Sequence, residues 1–273
     1  MYLNKRMKAL CVQSCINSYE DEHKNGVHGR TDWTSFRDGS VEQYAIENCQ
    51  GYTGVIDDVE HGAIFIIVFR GSDEDADWKN NFDFKKIRRF IEKGKEHTIP
   101  YGNKDSNIRM HKGFVELYAK VRSMLRLKAF DAAERGMKII ITGHSLGGAL
   151  ATVGFIDLHY MFCDELEIPV ELTGYAAASP AVGNWEFRVS FNIRAEGSFF
   201  NEWYGEDTVH KLPPLWLGYF HVAEETRYAD LLTNLTTPIF AIIPIAVWDH
   251  DPRKLLAAIK GEPIPLADLD TRN

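Results

Sequence analysis

Along the chain, continuous apolar stretches alternate with stretches in which apolar residues return every three or four positions. Residues 7–19 place Met7, Ala9, Leu10, Val12, Ile16 and Tyr19 close to the helical repeat, which predicts an N-terminal helix. Residues 20–40 are polar, are interrupted by Gly26, Gly29 and Gly39, and read as loop. Two β-type segments at 43–47 and 52–56 lead into Ala63-Ile64-Phe65-Ile66-Ile67-Val68-Phe69, apolar at every position. A strand with one face in water would alternate, so this one is expected at the centre of a sheet covered on both sides. Residues 79–110 interleave Phe82, Phe84, Ile87, Phe90 and Ile91 with Lys85, Lys86, Arg88, Arg89, Lys93 and Lys95. That pattern fits a solvated face over the core, with contact to an anionic membrane as the alternative.

From His111-Lys112-Gly113-Phe114 onward, Phe114, Val115, Leu117, Tyr118, Val121, Met124, Leu125 and Leu127 mark the packed side of a long helix. It delivers the chain to Ile139-Ile140-Ile141-Thr142, then Gly143-His144-Ser145-Leu146-Gly147, then the small-residue helical pattern of 148–154. Further strands are expected at 170–175 and 198–204, with a helix near Gly183-Asn184-Trp185 between them. Strands alternating with helices predict an α/β fold, a central mostly parallel sheet flanked by helices and joined by right-handed crossovers. With 45% hydrophobic residues the 273-residue chain can bury a sizeable core, and residues 1–273 read as one domain.

Charge and composition then remove several classes of function. A net charge of −8 argues against a nucleic-acid partner, which would need a dominant basic face. The apolar run at 238–248 is too short to span a bilayer and contains Pro238 and Pro244. The first eleven residues carry basic side chains but neither a continuous apolar core nor a clear cleavage site, so a cytoplasmic protein is expected. Cys11, Cys15, Cys49 and Cys163 lack zinc-like spacing and read as small buried hydrophobes.

The chemistry concentrates in the strand–turn–helix at 138–150. A serine hydroxyl is a poor nucleophile until a base takes its proton, and a sharp turn flanked by glycines pushes Oγ of Ser145 clear of the backbone. G-x-S-x-G alone is a weak signal, and the flanking strand and helix supply its specificity. A nucleophilic serine needs a histidine, and the histidine needs an acid to hold its tautomer. In this arrangement both follow the serine, acid first. Asp207 closes the strand at 198–204 and is the best acid, with Glu206 pointing the other way from an extended strand end. Downstream histidines are His210, His221 and His250. His210 is too close in sequence to Asp207, and His221 reads as a strand residue. His250 precedes Asp251 and Pro252, a helix N-cap and first helical residue, so it is expected on a loop free to meet the serine, with His221 as the alternative. Arg70-Gly71-Ser72 after the central strand is a place for backbone amides that hold an anionic oxygen, or equally an ordinary hairpin or helix cap.

Four separated motifs resemble the class 3 lipase family of α/β-hydrolases over roughly residues 60–260. They are Phe69-Arg70-Gly71-Ser72, His111-Lys112-Gly113-Phe114, Gly143-His144-Ser145-Leu146-Gly147-Gly148 with Ala178-Ser179-Pro180 beyond it, and Asp207-Thr208-Val209-His210-Lys211-Leu212-Pro213-Pro214. The resemblance implies Ser145 as nucleophile, Asp207 as acid and an oxyanion hole from the amides of Ser72 and Leu146. Family chains carry a non-catalytic histidine in a segment like Phe220-His221-Val222 and a catalytic one near the end, often as Asp-His, which favours His250. A lid-like segment is implied at about 73–84, with a variable insertion to about 110. Its Asp73, Glu74, Asp75, Asp77 and Lys79 depart from the apolar inner face of true lipases. The expected function is a serine carboxylester hydrolase, a lipase or esterase, acting on a glyceride, a phospholipid or a small soluble ester. Peripheral contact with a lipid interface is expected, and no transmembrane segment, metal or organic cofactor. The competing readings are a silent lipase-like scaffold and an acyltransferase using the same triad.

Overall fold

The computed structural model describes residues 3–19, 34–72, 84–92, 94–98, 107–228 and 249–264. Residues 73–83 of the lid-like segment and the apolar run at 238–248 lie outside them.

Seven strands form the central sheet: β1 (Glu42–Ile46), β2 (Cys49–Asp58), β3 (Gly62–Phe69), β8 (Lys138–His144), β9 (Leu172–Ala177), β10 (Phe199–Tyr204) and β11 (Glu224–Tyr228), in that spatial order. The β1–β2–β3 pairs are antiparallel, and β3, β8, β9, β10 and β11 run parallel. Between β3 and β8 lie two small antiparallel pairs, β4 (Lys86–Ile87) with β7 (Met110–His111) and β5 (Arg89–Glu92) with β6 (Lys95–Thr98). Within the basic stretch, the described residues 86–87, 89–92 and 95–98 are therefore strand. His221, read as a strand residue, lies in the irregular segment before β11.

Alternation explains why β3 is apolar throughout. Phe65, Ile67 and Phe69 enter one core, shared with α2 (Lys112–Glu134), α3 (Leu146–Tyr160) and α4 (Trp185–Arg194). Ile64, Ile66 and Val68 enter the other, where Met7, Cys11 and Val12 of α1 (Lys5–Asn17) meet Leu255, Leu256 and Ile259 of α5 (Pro252–Lys260). Successive strand residues point to opposite faces, so a strand covered on both sides has no polar position to offer. β8 divides in the same way, with Ile139 and Ile141 on one side and Ile140 on the other.

The helix α3 with its π-helical continuation (Met161–Glu165) is apolar and long enough to cross a membrane, but 78% of its most apolar stretch is buried inside the fold. It is the central core helix. Cys11, Cys15 and Cys49 are buried free thiols, as read from the sequence, whereas Cys163 is exposed. The parallel register sets Phe69 beside Gly143 and Gly143 beside Ala176. The carboxyl ends of β3, β8 and β9 therefore stand side by side, the edge where open α/β sheets place their sites.

Candidate active site

Ser145 sits between the end of β8 and the start of α3 with φ 60° and ψ −127°. Positive φ in a residue with a Cβ is sparsely populated and costs free energy, and such strain persists only where surrounding contacts impose it. Here the Ser145 amide donates to Ala177 O (2.9 Å) and the Ser145 carbonyl accepts from Gly148 and Ala149 as the helix begins. The glycines either side follow from crowding. A Cβ on Gly143 would stand 2.1 Å from Gly147 O, and one on Gly147 would stand 2.3 Å from Phe69 O. The first amides of α3, beginning with Leu146, have no carbonyl within the helix to accept them and lie at its electropositive end.

The chain leaving β3 reaches the same place. A Cβ on Gly71 would meet Tyr19 Oη at 2.1 Å and His144 O at 2.8 Å. The Gly71 backbone therefore lies directly against the residue before Ser145, and the half-buried Ser72 follows it.

Asp207, fully buried, lies just beyond β10. Its Oδ1 accepts the amides of Val209 (2.8 Å) and His210 (3.3 Å), and its Oδ2 accepts His250 Nδ1 at 2.8 Å. Burial alone would push this carboxyl up. The charge and hydrogen bond of His250, with help from His144 and the His210 amide, outweigh it and hold Asp207 below the usual carboxylate range. An ionised Oδ2 only accepts, so Nδ1 of His250 carries a proton, which leaves Nε2 as the ring nitrogen that can act as a base. His250 stands immediately before α5, where Asp251 caps the helix through the Arg253 amide and Pro252 opens it, as the sequence predicts.

His144 is fully enclosed and tied to both neighbours. Its Nε2 lies 2.8 Å from the His250 carbonyl and its Nδ1 lies 2.8 Å from Tyr19 Oη. Burial and the neighbouring His250 push its pKa down to about 3, so the ring is neutral. A carbonyl only accepts, so Nε2 donates and Nδ1 accepts from the Tyr19 hydroxyl. Tyr19, two residues past the end of α1, thus reaches the backbone of His250 through one imidazole.

The other sequence candidates go elsewhere. His221 Nε2 donates to His210 O at 2.6 Å, and its ring stacks on His210, which stacks on Trp203, at centroid distances of 3.9 and 3.8 Å. Burial and His210 lower its pKa to about 4. Glu206 faces outward and pairs with Lys211 (2.6 Å) and Arg227. A cleft of about 400 Å³ lies beside the loop that carries Asp207, with Trp203, His210, His221 and Arg227 in its wall, and none of Ser145, Asp207 and His250 lines it. Sequence reasoning missed Tyr19, for which there was no local signal. It also passed over His144, which stood inside the pentapeptide but read as a variable position.

Residues 66–216 match the family described as Lipase (class 3), more than half of the chain. The chain belongs to the class 3 lipase family. It is 31% identical over 162 residues to secreted mono- and diacylglycerol lipase 1 of Fusarium solani, covering 59% of this chain and 42% of that protein. It is 26% identical over 205 residues to phospholipase A1-II 7 of Oryza sativa subsp. indica, covering 66% and 49%. The chain spans about half the length of the curated relatives it matches. A solved triacylglycerol lipase, whose catalytic centre is described as a serine protease triad, superposes with a TM-score of 0.67 at 22% identity, over 92% of this chain and 95% of that one. The fold is that of the α/β-hydrolases.

The relatives correct one expectation. A cytoplasmic protein was expected from the first residues, but the Fusarium solani relative is named as secreted. Sorting is read from segments that are removed or lie outside the fold, so a folded hydrolase domain keeps no record of its compartment.

Proposed function

We propose that this chain is a serine carboxylester hydrolase that works through an acyl-enzyme on Ser145. The hydrogen bond from His250 Nδ1 to the buried Asp207 carboxylate, at the sheet edge that carries the Ser145 elbow, is the observation that supports it most. In this reading Nε2 of His250 takes the Ser145 proton as Oγ attacks the ester carbonyl. The amides of Ser72 and Leu146 hold the developing oxyanion, each contributing about 3 kcal/mol. His250 then passes its proton to the leaving alcohol, and a water activated by the same Nε2 releases the acid. Asp207 keeps the imidazole in its Nδ1–H form and stabilises the cation. No step calls for a metal or cofactor.

The substrate class is an acyl ester of a glyceride or phospholipid, in keeping with what the relatives are named for. Contact with a lipid surface is supported by an exposed apolar stripe at Trp185, Val189 and Ile193, one helical turn apart on α4, with Leu215 and the 81%-exposed Trp216 nearby in sequence to Phe220, whose ring meets Trp185. The acidic residues of the lid-like segment argue for weak interfacial activation.

A chain-length series of p-nitrophenyl esters and glycerides, above and below the micellar limit, tests the reading on the native protein and Ser145→Ala. Turnover should fall by at least about a thousandfold in the variant. Turnover that survives the substitution would overturn the assignment of the nucleophile. Fluorophosphonate labelling of Ser145 without any ester hydrolysis would point to acyl transfer instead.

A further inference from the structure

Asp249, the residue before His250, is 4% exposed, and its carboxylate reaches in two directions. Oδ2 accepts the backbone amide of Glu206 at 2.9 Å, and Oδ1 accepts Lys254 Nζ at 3.0 Å. Glu206 is the residue before Asp207. The segment carrying the base and the loop carrying the acid are therefore joined twice. One joint is His250 Nδ1 to Asp207 Oδ2, and the other lies one residue upstream on both segments. A single hydrogen bond is a hinge, about which an imidazole can tip as it gains and loses a proton. A second, parallel joint removes that freedom.

The surroundings are built for this contact. Gly205 has φ +61°, and a Cβ there would stand 2.1 Å from Asp249 Oδ2, so the acid loop can approach the carboxylate only through a glycine. The Gly205 amide donates to Tyr228 O (2.7 Å) and its carbonyl accepts from Arg227 Nε (2.8 Å), which fixes the turn from the side of β11. Asp249 fixes it from the side of the base. A bare carboxylate would place a second negative charge beside Asp207 and His250. Lys254, 2% exposed in the first turn of α5 and with Nζ 5.6 Å from the Tyr204 ring centroid, cancels it.

We infer that Asp249, neutralised by Lys254, is a positioning residue that holds the base and the acid in one relative orientation through the catalytic cycle. The inference rests on the triad reading above. What matters in it is the acceptor offered to the Glu206 amide, while the charge pair makes that acceptor tolerable in a buried place.

Two double variants separate these roles. Asp249→Ala/Lys254→Met removes pair and acceptor together, and Asp249→Asn/Lys254→Met removes the charges but keeps an oxygen for the amide. With a soluble p-nitrophenyl ester, the Ala/Met protein should lose about 10- to 100-fold in kcat with KM changed less than about twofold, the signature of a misplaced catalytic group. The Asn/Met protein should recover to within about threefold of the native kcat. Equal kcat in the two double variants would overturn the inference, as would a loss carried by KM alone. If the Ala/Met chain does not fold, Asp249→Asn/Lys254→Met decides alone: a kcat within about threefold of native supports the inference, and a loss of about tenfold or more overturns it, because the charge and not the acceptor would then be what counts. His250→Ala run alongside separates failures: full activity there would sink the triad reading, whereas activity lost there but retained in the Ala/Met protein would sink only this inference.

Discussion

At the residue scale, the site depends on groups that must stay neutral as much as on those that must stay charged. His144 serves as donor to the His250 carbonyl and acceptor from Tyr19 only in one neutral tautomer. Its pKa is pushed down to about 3, and that of His221 to about 4. An unfolded chain would protonate both near the ordinary imidazole value of about 6.5. Below that pH the unfolded state binds protons that the folded state refuses, so stability is complete above it and falls as the solution is acidified towards those lower values. Each histidine adds a slope of about 1.4 kcal/mol per pH unit within its window. Urea unfolding at pH 7.5, 6 and 5 should show this loss, and His144→Phe should flatten it by close to one proton. An unchanged slope would mean that His144 is protonated in the fold. The depressed Asp207 acts in the same direction but at lower pH, since a carboxylate held down contributes stability that disappears only when it is protonated.

At the scale of elements, a polar clasp holds α2, α3 and β5 together. Arg122 on α2 donates from Nε to Asp157 on α3 (2.9 Å) and from Nη1 to Glu92 of β5 (2.7 Å), while the Tyr118 hydroxyl donates to the other Asp157 oxygen (3.0 Å). Ser123 also donates to Glu92. Breaking a buried pair leaves a charge without compensation. Arg122→Met takes the close guanidinium from both carboxylates, leaving Asp157 to Tyr118 and the more distant Arg126 (4.0 Å) and Glu92 to Ser123, and should cost about 3–5 kcal/mol of unfolding free energy. A chemical-denaturation curve measures it, and the rate of fluorophosphonate labelling of Ser145 in the still-folded protein should be unchanged. The periodicity of α2 marked its apolar side correctly at Phe114, Val115, Tyr118, Val121 and Leu125, all buried, and at the partly buried Leu117 and Met124, but Leu127 at the end of the stripe is 64% exposed. Arg122 beside them carries no signal in that pattern, because a pattern of hydrophobicity cannot show that two carboxylates from other elements wait beneath.

At the scale of the whole molecule, five of the nine exposed large apolar side chains among the described residues lie on α4 and the short 3₁₀ turn Leu215–Leu217, while Ile46, Val59, Leu127 and Leu166 are scattered elsewhere. If this face meets a lipid surface, Ile193→Ser/Trp216→Ser should weaken sedimentation with phosphatidylcholine vesicles by about tenfold, a loss of roughly 1.4 kcal/mol, which two buried apolar side chains readily supply. Turnover of a soluble short-chain ester should not change. Equal vesicle binding would move the lipid-facing surface elsewhere.

Much of this architecture is legible one segment at a time. The doubly buried β3, the strand–turn–helix around Ser145, the parallel sheet, and the N-cap and proline of α5 all follow from periodicity and from backbone geometry that only certain residues tolerate. These are local properties, written within a few residues of where they act. The partnerships are not. Asp207 and His250 meet across 43 positions, His144 and the His250 carbonyl across 106, and Tyr19 and His144 across 125. From the sequence, His221 and His250 differed only by context, and Asp249 was merely the residue before a histidine. The folded chain gives Nε2 of His221 to a carbonyl, closes Asp249 over the Glu206 amide with Lys254 behind it, and leaves His250 facing Asp207. Local pattern determined where strands and turns would be, because burial and backbone strain act on neighbours. Only the tertiary structure decided which polar groups share a buried space, because a hydrogen bond has direction and saturates, and its partner is selected by geometry.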